Sequence, residues 1–178
     1  MTPRKAPDDM KKRVLFLCIH NSARSQMAAA FLKQAAGDRF DVESAGLEPG
    51  NLNPLVVTAM KEVGIDLSRN KTQSVFDLFK SGRRFQYVIS VCDAASAERC
   101  PIFPGVTTRL NWSFADPSAF TGTEHERLQQ TVAVRDEIRR KIDEWVRDEA
   151  SQPLYRTHRS DRRSRFRRTT PATAKRNR

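Results

Sequence analysis

The chain has 178 residues, 38% apolar and 30% charged, enough for one ordinary domain and too few for two. Its net charge is +11, but residues 151–178 hold ten Lys or Arg against one Asp, so residues 1–150 carry only +2. Since the longest apolar burst, Val14–Ile19, is far short of a bilayer span and the basicity sits in a tail, a membrane-spanning chain and a basic folded domain are both excluded.

Residues 1–12 read as a charged, flexible segment without the apolar stretch of a secretory signal, so a cytoplasmic location is expected. Val14–Cys18 has the look of a buried strand, and after a loop Met27, Phe31, Leu32 and Ala35 follow at helical spacing. Asp41–Ala45 gives a weaker strand. Asn53 and Pro54 suit the N-cap and first position of a helix carrying Leu55, Val56, Ala59, Met60 and Val63, with Gly64 as its stop. Ser74 and Asp77 resemble a capping pair for a short helix around Phe76–Phe79. Tyr87–Cys92 reads as another buried strand and Thr107–Trp112 as the last one. Thr123–Val146, with Leu128, Val132, Ile138, Ile142 and Trp145 at helical intervals, is the longest element. Trp112 and Trp145 are read as core. This alternation predicts one α/β domain over 13–150, a three-layer fold with a short central parallel sheet and helices on both faces. Residues 151–178 show no period and repel one another, so they read as a basic disordered tail.

The chemistry concentrates where the first strand ends, in Cys18-Ile19-His20-Asn21-Ser22-Ala23-Arg24-Ser25. Ligands of open parallel sheets bind beyond the carboxyl ends of the strands. A loop passing from strand to helix turns backbone N–H groups inward, so Ile19, His20, Asn21, Ser22, Ala23 and Arg24 are expected to cradle a tetrahedral oxyanion. Arg24 adds a planar fork of donors. The same positive surroundings favour a nucleophilic thiolate at Cys18, to which Ser25 is placed to donate. A lone cysteine at a strand end would be an inert small apolar residue, and it is the flanking residues that argue for function. Three cysteines, Cys18, Cys92 and Cys100, make an odd count with no secretory signal, so reactive or inert thiols are expected rather than a disulfide framework. His125 and His158 are isolated, and no spacing suggests zinc.

The run resembles the Cys-x5-Arg-Ser loop of the low-molecular-weight protein tyrosine phosphatases and of the arsenate reductases built on the same fold. The resemblance covers residues 13–147, includes Glu43-Ser44-Ala45-Gly46 and Asp116-Pro117, and leaves the tail aside. It implies a phosphatase-like sheet of flavodoxin-like topology and an acid role for Asp116, where local sequence alone suggests an ordinary Asp-Pro turn. Cys92 and Cys100 resemble the thiol pair of the thioredoxin-coupled arsenate reductases. Taken singly, Cys92 reads as a buried thiol and Cys100 as an incidental exposed one. The resemblance implies a thiol-arsenate adduct on Cys18, a Cys18–Cys92 disulfide, its transfer to Cys92–Cys100, and reduced thioredoxin or a related thiol donor as electron source, with no tightly bound cofactor. The pair stands one residue wider apart than in the best-known members, and His20 replaces a glycine common among relatives. The implied potassium site would use Asn21, Ser44 and the vicinity of Thr72, but Ser74 stands where a carboxylate belongs, so no metal is expected.

Two other readings stay open. Cys18, Arg24 and Asp116 alone would serve a phosphatase of phosphotyrosine or small phosphoesters, although no tyrosine follows Asp116-Pro117. Alternatively, residues 151–178 are the working part of a regulatory protein, through weak polyanion contact with nucleic acid or anionic lipid.

Overall fold

The computed structural model describes residues 11–93, 98–99, 101–105 and 108–151. In chain order these form β1 (Lys12–Cys18), α1 (Arg24–Ala36), β2 (Phe40–Gly46), α2 (Pro54–Lys61), α3 (Val75–Lys80), β3 (Tyr87–Ser90), β4 (Thr108–Asn111), a 3-10 turn at Pro117–Ala119 and α4 (Glu124–Ser151). The strands pair in the order β2-β1-β3-β4, all parallel, so their carboxyl ends share one edge of the sheet. The α/β expectation holds, with the doubly wound strand order that places ligands beyond that edge.

Both faces of β1 are buried, which is why its sequence reads as an unbroken apolar run. Val14, Phe16 and Cys18 enter one core with residues of α1, α2 and α4. Leu15 and Leu17 point the other way, into a smaller core with Val75 and Leu78 of α3 and with Phe85 and Phe103. Helices thus cover both faces, but unequally among the described residues. Phe40, Tyr87, Trp112 and Trp145 form a chain of ring contacts at the far side of the larger core, with centroids 5.1–6.1 Å apart. The two tryptophans are core residues, as read.

Local signals act where they were expected. Asn53 caps α2, its Oδ1 accepting from Leu55 N–H at 2.9 Å. Gly64, at φ +78°, ends that helix region: Gly64 N–H bonds Lys61 O and Ile65 N–H bonds Met60 O. Ser74 caps α3 by accepting from Phe76 N–H at 3.2 Å.

The differences are at element ends and in one helix face. β1 begins at Lys12, which pairs with Phe40, one residue inside the segment read as flexible. Helix α1 begins at Arg24, and Ala36 rather than Ala35 is buried. β3 stops at Ser90, although Val91 N–H still bonds Leu17 O at 2.8 Å. In α4 the buried stripe is Thr131, Val134, Arg135, Ile138, Ile142 and Trp145, leaving Leu128 and Val132 half-buried. Apolar periodicity misses this because two polar residues join the stripe with their donors satisfied, one within the helix and one across to α2. Thr131 Oγ1 donates to Arg127 O at 2.8 Å, and Arg135 Nη1 donates to Ala59 O at 2.8 Å, tying α4 to α2. The tail expected over 151–178 lies outside the described residues except for Ser151, the last residue of α4. Among the described residues no helix is long and apolar enough to cross a membrane.

Candidate active site

Cys18 is the last residue of β1, and residues 19–23 carry the chain from it to Arg24, the first of α1. The loop is laced from outside. Leu47, Glu48, Gly50 and Asn53 donate their N–H groups to the carbonyls of Cys18, Ile19, His20 and Ser22 at 3.1, 2.8, 2.9 and 2.9 Å. Because each peptide unit is planar and trans, a carbonyl fixed outward turns the next N–H inward. The N–H groups of Ile19, His20, Asn21 and Ala23 therefore face the concave side, and that of Asn21 lies 3.1 Å from Cys18 Sγ. Ala23, the N-cap of α1, makes no side-chain cap bond, which leaves the positive helix end to an anion.

Asn21 organises the interior of the loop. It is the only non-glycine with positive φ among the described residues, at +53°, a conformation asparagine tolerates better than most. Its Oδ1 accepts from the backbone N–H of Gln73 at 3.0 Å, which fixes the amide so that Nδ2 donates to Ser25 Oγ at 2.9 Å. Ser25 Oγ is thus an acceptor toward Asn21 and lies 2.9 Å from Cys18 Sγ, within hydrogen-bond distance with either atom able to donate. The Asn21 N–H and the Ser25 hydroxyl converge on the sulfur. Asn21, Ser22, Ala23, Arg24 and Ser25 are buried and Ile19 half-buried, whereas His20 is exposed, its Nδ1 3.0 Å from Glu48 O.

Gly46 is a functional position that the sequence reading quoted but did not single out. A Cβ there would stand 2.7 Å from Ile19 O, 2.8 Å from Asn21 N and 2.9 Å from His20 C, all backbone atoms of the loop. Only glycine lets β2 end this close to it.

Arg24 and Asp116 are brought together. The guanidinium sends Nη2 to Asp116 Oδ2 at 2.7 Å and Nη1 to Phe114 O at 3.1 Å. Asp116 Oδ1 meanwhile accepts from Ser118 N–H at 3.0 Å, capping the turn at Pro117–Ala119. The ordinary turn and a carboxylate at the loop mouth are therefore the same residue, and the arginine fork expected to grip an oxyanion is held by that carboxylate.

Cys92 lies just past β3, beside the end of β1, fully buried in the same apolar core as Cys18. Burial pushes its thiol up from the ordinary range, with Cys18 and Asp93 adding, while a contact to Ser90 Oγ at 3.2 Å and the charge of Arg24 oppose. Cys100 lies outside the described residues, as does His158. Its neighbour Arg99 reaches Glu48 at 2.5 Å, so the chain just before Cys100 abuts the segment that laces the loop.

The potassium site implied by resemblance does not fit these residues. Asn21 Oδ1 already accepts from Gln73 N–H and from Gln26 Nε2 at 3.3 Å, Ser44 O accepts from Gln73 Nε2 at 2.8 Å, and Thr72 Oγ1 donates to Gly50 O at 2.7 Å. Amide donors stand where a cation's charge would act. Turnover is expected to be unchanged when KCl is replaced by NaCl or choline chloride at equal ionic strength, and specific activation by potassium in steady-state assays would contradict this.

A thiol on an inward-facing cradle of N–H groups, with arginine and carboxylate at its mouth, is an arrangement chemically suited to receive a tetrahedral oxyanion beside a nucleophile. Residues 13–153 match the low molecular weight phosphotyrosine protein phosphatase family, and the chain belongs to it. An arsenate reductase of Bacillus subtilis (strain 168) is 43% identical over 135 residues, 76% of this chain and 95% of that protein. Among solved structures, an arsenate reductase in the phosphate binding state matches with a TM-score of 0.63 at 26% identity, covering 77% of this chain and 98% of the other. A thioredoxin-dependent arsenate reductase from Corynebacterium glutamicum matches with a TM-score of 0.55 at 26% identity, covering 78% of this chain and 65% of the other.

Proposed function

We propose that this protein is an arsenate reductase working through Cys18, Cys92 and Cys100 with a thioredoxin-type dithiol as electron donor. The observation that carries the reading is the second buried thiol, Cys92, at the end of the strand beside the one that ends in Cys18. A phosphatase has no use for it. Reduction of arsenic(V) to arsenic(III) needs two electrons, and two thiols becoming one disulfide supply them.

Cys18 Sγ displaces an arsenate oxygen, which takes a proton from Asp116 and leaves as water. The N–H groups of the loop and Arg24 hold the remaining oxygens. Cys92 then attacks Cys18 Sγ, the S–S bond forms, and the pair of the S–As bond stays on arsenic, which leaves as arsenite. Cys100 attacks Cys92, freeing the Cys18 thiol and leaving a Cys92–Cys100 disulfide for the donor dithiol to reduce. The Bacillus subtilis and Corynebacterium glutamicum relatives support this reading. A cytoplasmic location, where thiols are kept reduced, suits it.

The test is multiple-turnover arsenate reduction with thioredoxin, thioredoxin reductase and NADPH. Arsenate-dependent NADPH oxidation should vanish in Cys92→Ser and Cys100→Ser, while para-nitrophenyl phosphate hydrolysis, which needs only Cys18, Arg24 and Asp116, survives. Undiminished reduction in Cys92→Ser would sink the relay.

The raised proton affinity of Cys92 gives this step a pH dependence. Its thiolate is scarce at neutral pH because burial favours the thiol, so the thiolate fraction, and with it the rate of arsenite release in a single turnover, should climb as pH rises through the alkaline range. Rapid-quench measurements across pH would expose a flat or falling profile.

A further inference from the structure

Away from the catalytic loop, β4 and the C-terminal half of α4 enclose a groove with a cavity volume of about 380 Å³. Its floor is aromatic and aliphatic: Tyr87, Leu110, Trp112 and Trp145. Its rim on the helix side is acidic. Glu149 is already engaged, accepting from Lys12 Nζ at 3.0 Å and from Tyr87 Oη at 2.7 Å. Glu144 and Asp148 remain exposed, with Lys141 3.9 Å from Glu144. The aromatic walls already attract cations, since Lys141 Nζ lies 5.9 Å from the Trp112 centroid and Lys12 Nζ 5.6 Å from that of Tyr87.

We propose that the groove binds the basic segment of this same chain that follows α4, beginning at Pro153-Leu154-Tyr155-Arg156. Three observations point to that occupant. The helix ends at Ser151, two residues past Glu149, so the segment starts beside the rim. Proline cannot continue a helix, and from Glu149 back to Lys141 the groove runs about 12 Å at 1.5 Å per helical residue. Four extended residues, at about 3.3 Å each, span that length. The segment's composition also suits the groove, with two apolar side chains for the floor and an arginine able to face the acidic rim. Residues 151–178 carry ten Lys or Arg and one Asp, a charge complementary to the exposed Glu144 and Asp148.

The groove contains its own reporter, because Trp112 and Trp145 are the only two tryptophans of the chain and both line it. The experiment is acrylamide quenching of intrinsic fluorescence in the full-length protein, the quencher being neutral so that salt can be varied. The wild type should be shielded, and the shielding should be lost in Leu154→Ser/Tyr155→Ser/Arg156→Gln and in Glu144→Gln/Asp148→Asn. Combining the two sets should give no further loss, since both remove one interaction. Rising salt should carry the wild type toward the variants. Equal quenching in all the proteins overturns the proposal. So does shielding that appears only as protein concentration rises, which would place a second copy in the groove. Glu144 and Asp148 lie on α4, outside Cys18 and its loop, and fluorescence quenching does not read arsenate turnover, so the outcome stands apart from that of the arsenate assays.

Discussion

Gly46→Ala is expected to cut kcat/KM for arsenate by about 100-fold, the effect of misplacing reacting groups by about 1 Å. The reason is spatial. The added methyl would sit inside 3 Å of Ile19 O, Asn21 N and His20 C, and none of these backbone atoms can rotate away as a side-chain tip can. The loop has no slack, since Leu47, Glu48, Gly50 and Asn53 fix its carbonyls from outside. Relief must come by shifting the inward N–H groups, whose value depends on where they point. The rest of β2 stays paired with β1 through residues well away from the clash. Phosphate binding by calorimetry should therefore fall with turnover while the circular dichroism spectrum is unchanged. Wild-type turnover in Gly46→Ala would mean that the N–H cradle does not hold the oxyanion.

The fold was legible in the sequence where one local signal sufficed. Val14–Cys18 announced a strand buried on both faces, Asn53 and Gly64 announced the ends of a helix region, and alternation announced the parallel sheet. Element ends were less legible because they depend on partners. Lys12 is a strand residue only because Phe40 lies beside it, and β3 stops at Ser90 where the chain leaves the ladder. Arg135 is buried because Ala59 O, Glu62 and Asp136 receive its donors, and no periodicity of apolar residues contains that.

At the candidate site, the placement of Cys18, Arg24 and Ser25 at one loop was legible because five intervening residues between Cys18 and Arg24 leave little freedom in how they meet. The outer lacing was not. Leu47, Glu48, Gly50 and Asn53 contribute backbone N–H groups, which leave no mark in residue type except the glycines at 46 and 50. Gln73 was equally hidden, since it acts through its backbone on Asn21 and through its amide on Ser44 O. The engagement of Arg24 by Asp116 joins residues 92 positions apart, and only the fold reveals it.

That ion pair makes the consequences of Asp116→Asn run in two directions. Removing the proposed acid should lower kcat for arsenate by about 10²–10⁴-fold, the usual contribution of a positioned proton donor. Yet the same substitution removes the carboxylate that holds Arg24 Nη2 at 2.7 Å and places a negative charge at the mouth of an anion site. Oxyanion and Asp116 compete for one guanidinium, whose hydrogen bonds to charged partners are worth about 1.5–3 kcal/mol each. Asparagine holds it more weakly, so inorganic phosphate should bind more tightly to Asp116→Asn than to the wild type. Inhibition by phosphate and titration calorimetry both read this. Weaker phosphate binding alongside lost turnover would instead make Asp116 the anchor that positions Arg24, and the proton would have to come from elsewhere.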